Sequence, residues 1–416
     1  MTFGQGGDPL VIPSGAIDPT GLPQANFKTL DEVKPSTPLT PDSTPGDASS
    51  VFIISQPGSY YLSGNLAVPN QMTGIVITTS NVSLDLSGFT ISGEPSSLNG
   101  IATTSTVSGI RVSNGNIIDL GNLGISASTA SSVHLEKLLV RGNEGDGARV
   151  GTDSICTDSI FRDNSGDGLQ IGARSIVRRV VASENSSCGI RPAQTCIVVD
   201  VVASANLGNG IDGNDGTAIQ NTTASGNGLD GIEVGSGSAI SSCTARLNQG
   251  RGIDADDGTS VVACSAQGNT RIGIFVENEG VITDCASSNN TENGIESGIR
   301  SVIADCSVTD NSGNGISILN ECLVRGCIVS NNGSGGAANT DGISGRADNR
   351  IENNHLINTS GSAVELTGSN NLIFKNSAVD NSQTDFNFSA TSNGGGPIVD
   401  GTAQITTNSP WANFVD

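Results

Sequence analysis

Apolar and polar positions along most of this chain recur every 21 residues, a period that fits neither a helix nor an isolated hairpin. A Gly followed by an apolar residue falls at Gly147, Gly168, Gly189, Gly210, Gly231, Gly252, Gly273, Gly294 and Gly315. Three further columns keep the same spacing. One residue after each Gly stands Leu169, Ile190, Ile211 or an equivalent, nine after it Val177, Val198 or Ile219, and fourteen after it Ala182, Ala203 or Ala224. Each period therefore holds about three short strands, and a supersecondary unit repeated at fixed length stacks into a solenoid. The predicted fold is all-β, a single right-handed parallel β-helix with a cap at either end. It has roughly thirteen turns at about 4.8 Å each, a rod of about 60 Å. A period built on hexapeptides would mark the left-handed form instead.

An Asn precedes each Gly by four residues, from Asn143 through Asn311, and Asn332 continues the series. Asn and Gly tolerate a left-handed backbone, so these columns predict tight bends. Stacked Asn side chains can also hydrogen-bond along the column.

The pattern sets the boundaries. Residues 1–50 contain eight prolines and read as an extended arm. Within it, Phe27 to Lys34 carries Thr29-Leu-Asp-Glu32, a capping-box spacing that predicts one short helix. Solenoid ends are open sheet edges, so the arm is expected to act as a cover; packing on a neighbouring subunit is the other use it suits. Residues 51–99 read as opening strands of the N-terminal cap, 100–384 as β-helix repeats, and 385–416 as a C-terminal cap with Trp411 and Phe414 covering the end. A six-residue insertion rich in Gly, Ser and Asn falls within 331–339. Only Pro192 interrupts residues 96–396, as expected where nearly every amide joins a ladder.

The chain resembles the pectate-lyase-like superfamily of right-handed β-helices. More narrowly, it resembles secreted bacterial β-helix-repeat proteins of unassigned function. The narrower likeness rests on Lys28-Thr-Leu-Asp-Glu-Val-Lys-Pro35, Gln56-Pro-Gly-Ser-Tyr-Tyr-Leu-Ser-Gly-Asn65, Leu84-Asp-Leu-Ser-Gly-Phe-Thr-Ile91 and Pro410-Trp-Ala-Asn-Phe414. It implies export, to the medium or the cell surface, and brings no agreed catalytic residues.

Charge narrows the partners. A net charge of −22 and a pI near 4.2 repel nucleic acid and anionic membranes over a Debye length. The same charge repels polyanionic glycans unless a divalent cation or a local basic patch intervenes. The chain as given has no apolar run long enough to insert in a membrane and no leader pattern after Met1. Cys243, Cys264, Cys285, Cys306 and Cys327 form a column of their own. In-register side chains point the same way and suit relaxed disulfides badly, so the column reads as buried thiols. Cys156, Cys188, Cys196 and Cys322 look scattered.

Two places invite chemistry. Asn339-Thr-Asp-Gly-Ile343 resembles the first motif of polygalacturonases, in which two carboxyls flank a sugar bond. The Asp pair, Gly-His-Gly and Arg-Ile-Lys that should follow are missing, so this segment reads as a bend. The better candidate is the column two after each Gly, which should face outward: Arg149, Gln170, Arg191, Asp212, Glu233, Asp254, Phe275 and Glu296. Its sign reverses between Arg191 and Asp212, and residues 201–300 hold 12 acidic against 4 basic side chains. Stacked carboxylates raise one another's pKa or recruit a cation, and hard oxygen ligands suit Ca²⁺. The expected metal set is Asp212, Asp215, Asp254, Asp256, Asp257 and Glu277. A catalytic group would be Arg251 with Asp230 and Glu233. Arg149, Arg191 and Phe275, the last as a stacking platform, would bind substrate. Two functions fit: a secreted solenoid that binds and cleaves a polysaccharide with Ca²⁺ assistance, or a non-catalytic structural or surface solenoid. Thirteen aromatics in 416 residues favour the second; the charge reversal on one face favours the first.

Overall fold

The computed structural model describes residues 36–104, 106–335, 340–388, 392–400, 407 and 409–416. The expected helix over Phe27 to Lys34, and nearly all of the Pro-rich arm, lie outside these residues.

The coil that begins at Gly210 shows how the repeat folds. Ile211–Gly213, Ala218–Gln220 and Thr223–Ser225 are its three strands. Each pairs in parallel with its equivalent 21 residues on, placing Ile211 beside Ile232, Ile219 beside Ile240 and Ala224 beside Ala245. The first strands of all coils form a sheet of 16 strands. The second and third strands form one of 32, joined where Ser108–Ile118 and Ser131–Arg141 run through both columns. No helix occurs among the described residues.

The right-handed parallel β-helix is as expected, but it has about seventeen coils rather than thirteen. The segment read as opening strands is itself coiled: Ser50–Ile54 stacks on Thr73–Ile77, which stacks on Ile101–Thr103. These coils place Phe52 beside Ile75 and Ile75 beside Ile101, spacings of 23 and 26 residues that a 21-residue register does not capture.

Bends explain the polar columns. Each coil turns three times through a left-handed residue: Thr195, Asp200 and Ala205 in one coil, Gly216, Asn221 and Gly226 in the next. The residue that follows points inward and caps the coil below. Asn206, for example, donates its amide and its Nδ2 to Asn227 Oδ1 at 3.1 and 3.0 Å, and Nδ2 also reaches the Ala182 carbonyl at 3.1 Å. The Asn column is thus a buried ladder as expected, while the left-handed residue sits one position earlier. The Gly column also has a different cause from the one expected. A Cβ on Gly210 would lie 2.5 Å from the Gly231 carbonyl oxygen and 2.7 Å from Asn227 Nδ2, so close approach excludes every side chain there.

The cysteines fill the same capping positions. Cys243 follows left-handed Ser242, takes the Ser241 carbonyl at 3.2 Å, and donates its amide to Cys264 Sγ at 3.5 Å. Cys196 and Cys322 are not scattered: they cap the first bend, in register with Ser175, Thr217 and Ser301. All nine are free and buried.

At residue 315 one coil lengthens by the insertion, and the caps resume beyond it. Cys322 and Cys327 donate their amides to Asn349 and Asn354, now 27 residues away. At the far end Asn413–Val415 forms a last rung on Ser377–Val379, and Trp411 just before it is 52% exposed.

Candidate functional site

The first strand of each coil shows one residue outward between two buried ones, because alternation puts the residues one and three after Gly inside. The predicted outward column is therefore real: Arg149, Gln170, Arg191, Asp212, Glu233, Asp254, Phe275 and Glu296 rise along one face. A second column, missed in the sequence, lies beside it. The residues just before each Gly are Asp146, Asp167, Cys188, Asn209, Asp230, Arg251, Ile272 and Asn293. Their 21-residue spacing was the signal that could have found them.

The two columns hold each other. Asp146 pairs with Arg149 at 2.5 Å. Arg191 bridges Asp167 and Asp212, each at 2.8 Å, and its Nη2 lies 3.2 Å from Cys188 Sγ. The charge reversal seen in the sequence is thus spanned by one guanidinium. Asn209 Nδ2 donates to Glu233, and Asn293 Nδ2 to Glu296 at 2.7 Å. Of the expected trio, Asp230 and Glu233 lie on one coil and Arg251 on the next, and Glu233 is held by Asn209 rather than by Arg251. Asp230 Oδ1 accepts the Arg251 amide at 2.5 Å. Arg251 Nη1 meets both oxygens of Asp254 at 2.7 and 2.8 Å, and its guanidinium lies 4.0 Å from the centre of the Phe275 ring. Phe275 thus carries an arginine on its face, an arrangement worth about 1–2 kcal/mol when partly desolvated. Arg251 Nε is buried without a partner.

Electrostatics single out three carboxyls. Burial, then the charge of Asp212, raises the pKa of Glu233 above the usual Glu value. Burial also raises Asp254, although Arg251 opposes the shift. Asp256 is raised by burial and then by Asp254, Asp215 and Asp257.

The expected Ca²⁺ ligands do not converge. Asp212 and Asp254 are committed to arginines. Asp215 accepts the Ser236 amide at 3.1 Å, and Asp257 accepts both the amide and Nδ2 of Asn278 at 2.9 Å, so both act as caps. Among the described residues no three His, Cys, Asp or Glu side chains form a group able to hold a metal. The residues present do not fit Ca²⁺.

Two hollows bracket the columns. One of about 280 Å³ is lined by Arg149, Gln170, Arg191 and Asn214; the other, of about 250 Å³, by Phe275, Glu277, Glu296 and Leu319. They lie on one face, about six coils or 30 Å apart by the strand spacing.

Coil, ladder and outward columns define a parallel β-solenoid with paired polar columns along one face. The chain belongs to the right-handed β-helix family: the model of the right-handed beta helix region matches residues 52–202, 208–344 and 264–409. Similarity to solved structures is low. The A-module of the mannuronan C-5 epimerase AlgE4 of Azotobacter vinelandii is 14% identical, with a TM-score of 0.38 over 81% of this chain and 90% of that one. The receptor-binding domain of the siphovirus 9NA tailspike is 10% identical, with a TM-score of 0.42 over 94% and 78%. Pectate lyase Pel9A is 15% identical, with a TM-score of 0.28 over 81% and 71%. No curated protein sequence matches the chain.

Proposed function

We propose that the outward face between Arg149 and Glu296 binds an extended polysaccharide chain. The carrying observation is the pair of hollows on one face, separated by columns of carboxylates, amides and arginines already fixed by their neighbours. A site about 30 Å long suits a linear polymer, and prepaired polar groups meet hydroxyls at a small ordering cost. The protein's net charge of −22 disfavours nucleic acid as that polymer. Arg149 and Arg191, already neutralised by Asp146, Asp167 and Asp212, offer fixed guanidinium N–H donors to sugar oxygens. Arg251, held by Asp254 and stacked on Phe275, serves as a fixed cation. If the bound chain is cut, Glu233 is the group whose raised pKa suits a proton donor to the leaving oxygen.

Calorimetric titration with a panel of linear acidic and neutral polysaccharides, beside an assay for new chain ends, tests this. Binding to one polymer that falls about tenfold in Arg191→Ala and in Phe275→Ala is expected, a loss of about 1.4 kcal/mol each. Absence of binding across the panel would remove the reading and leave a structural solenoid, which the internal pairing of most of these charges favours. Chain ends that appear with the parent protein and vanish with Glu233→Gln would make it an enzyme.

A further inference from the structure

Trp411 poses a question the groove does not answer. It is the only tryptophan in the chain, and it stands half exposed at the end of the 32-stranded sheet, away from the outward column just described. Its ring meets Phe374 edge-to-face, with centroids 5.4 Å apart at 89°. Lys375 places its ammonium 4.8 Å from the Trp411 ring centre, and Arg350 its guanidinium 4.8 Å from that of Phe374. Beside the rings opens a hollow of about 420 Å³, floored by Gly394, Gly395 and Gly396 and walled by Leu372, Pro397 and Trp411.

We propose that this hollow is a second ligand site, for a single pyranose ring that carries a carboxylate. One side of the indole carries the Lys375 ammonium, and the rest of the half-exposed ring, held by Phe374, offers a flat apolar surface that needs no ordering and matches the apolar face of a pyranose. The glycine floor leaves room for ring substituents. Arg350 is paired with Glu352 at 2.8 Å, whereas Lys375 has no carboxylate within salt-bridge distance among the described residues. No described lining residue of the hollow is acidic, in a chain with 41 acidic and 19 basic side chains. An ammonium that has no carboxylate partner among the described residues, seated on the indole, therefore selects an acidic sugar over a neutral one. The assignment does not depend on the groove, which lies on the other sheet.

The lone tryptophan makes the test direct, because emission excited at its red edge reports Trp411 alone. Titration of the full chain with sodium glucuronate, at constant ionic strength, is expected to change that emission saturably in the millimolar range. Glucose should bind several-fold more weakly, and Lys375→Gln should abolish the difference between the two sugars. A flat response to glucuronate, an equal response to glucose, or a stronger response to benzoate than to glucuronate would each overturn the proposal. Trp411→Phe, followed by ligand-observed saturation-transfer NMR, should lose the glucuronate signal while binding in the groove persists, which separates the two sites.

Discussion

Asn227 makes five of the hydrogen bonds on which the coil depends. Its amide and Nδ2 donate to Asn248 Oδ1 at 3.0 and 2.9 Å, Nδ2 also meets the Ala203 carbonyl at 3.2 Å, and its own Oδ1 accepts two bonds from Asn206. Asn227→Ala removes four of these five bonds, all but that of its own backbone amide, and takes the side-chain partner from the buried Asn206 amide and the Ala203 carbonyl. It should cost about 3–5 kcal/mol, read as a lower urea midpoint. Asp341 responds in the opposite direction. Burial raises its pKa to about 6, above the usual Asp value of 3.8, while its Oδ1 caps the Ser362 amide at 2.9 Å. A carboxyl whose folded pKa is raised destabilises the fold above that pKa, and the penalty fades as pH falls from about 6 toward 4. Asp341→Asn keeps the acceptor, and Asn already fills this column at Asn293 and Asn314. The variant should therefore be more stable than the parent by about 1–3 kcal/mol at pH 8 and equal to it at pH 4, by denaturant titration at each pH.

At the level of strands and bends, what was legible in the sequence is what recurs. The Ile211, Ile219 and Ala224 columns, the Asn ladder and the outward face all follow from one register. Phe52 and Ile75 kept the same structural place at other spacings, and their coils were read as a cap. The left-handed positions were misplaced by one residue because they hold Arg, Glu, Thr and even Leu247, so composition does not mark them. Pairings across columns, such as Arg191 with Asp167 or Arg251 with Asp254, depend on which way a long side chain leans, and alternation is silent on that. The cysteine column was legible as buried and illegible as capping. Its thiols should resist a water-soluble disulfide reagent in the folded protein and react, all nine, once guanidinium unfolds it. Early labelling of any member of the ladder from Cys243 to Cys327 would contradict its buried place.

Across the whole molecule, 41 acidic residues face 19 basic ones, and the ion pairs that exist sit largely between adjacent coils. Arg174 with Asp153, Arg179 with Asp158 and Arg300 with Glu279 each tie one coil to the next at exposed bends, where a single pair is worth little. Net repulsion should dominate. Raising NaCl from about 0.02 M to about 0.5 M shortens the screening length from about 20 Å to about 4 Å and should raise the melting temperature. A fall in melting temperature over that range would mean that the exposed pairs outweigh the repulsion.

The lengthened coil after Gly315 has a wider consequence. Asn314 Oδ1 still accepts the Asp341 amide across 27 residues as Asn209 Oδ1 accepts the Asp230 amide across 21, so each coil is held by its neighbours at a few fixed points and is indifferent to the length of chain between them. Such a rod behaves as a rack with interchangeable shelves. New segments can be spliced into one bend without disturbing the next, which lets selection, or a protein engineer, change what one level presents while every other level stays as it was.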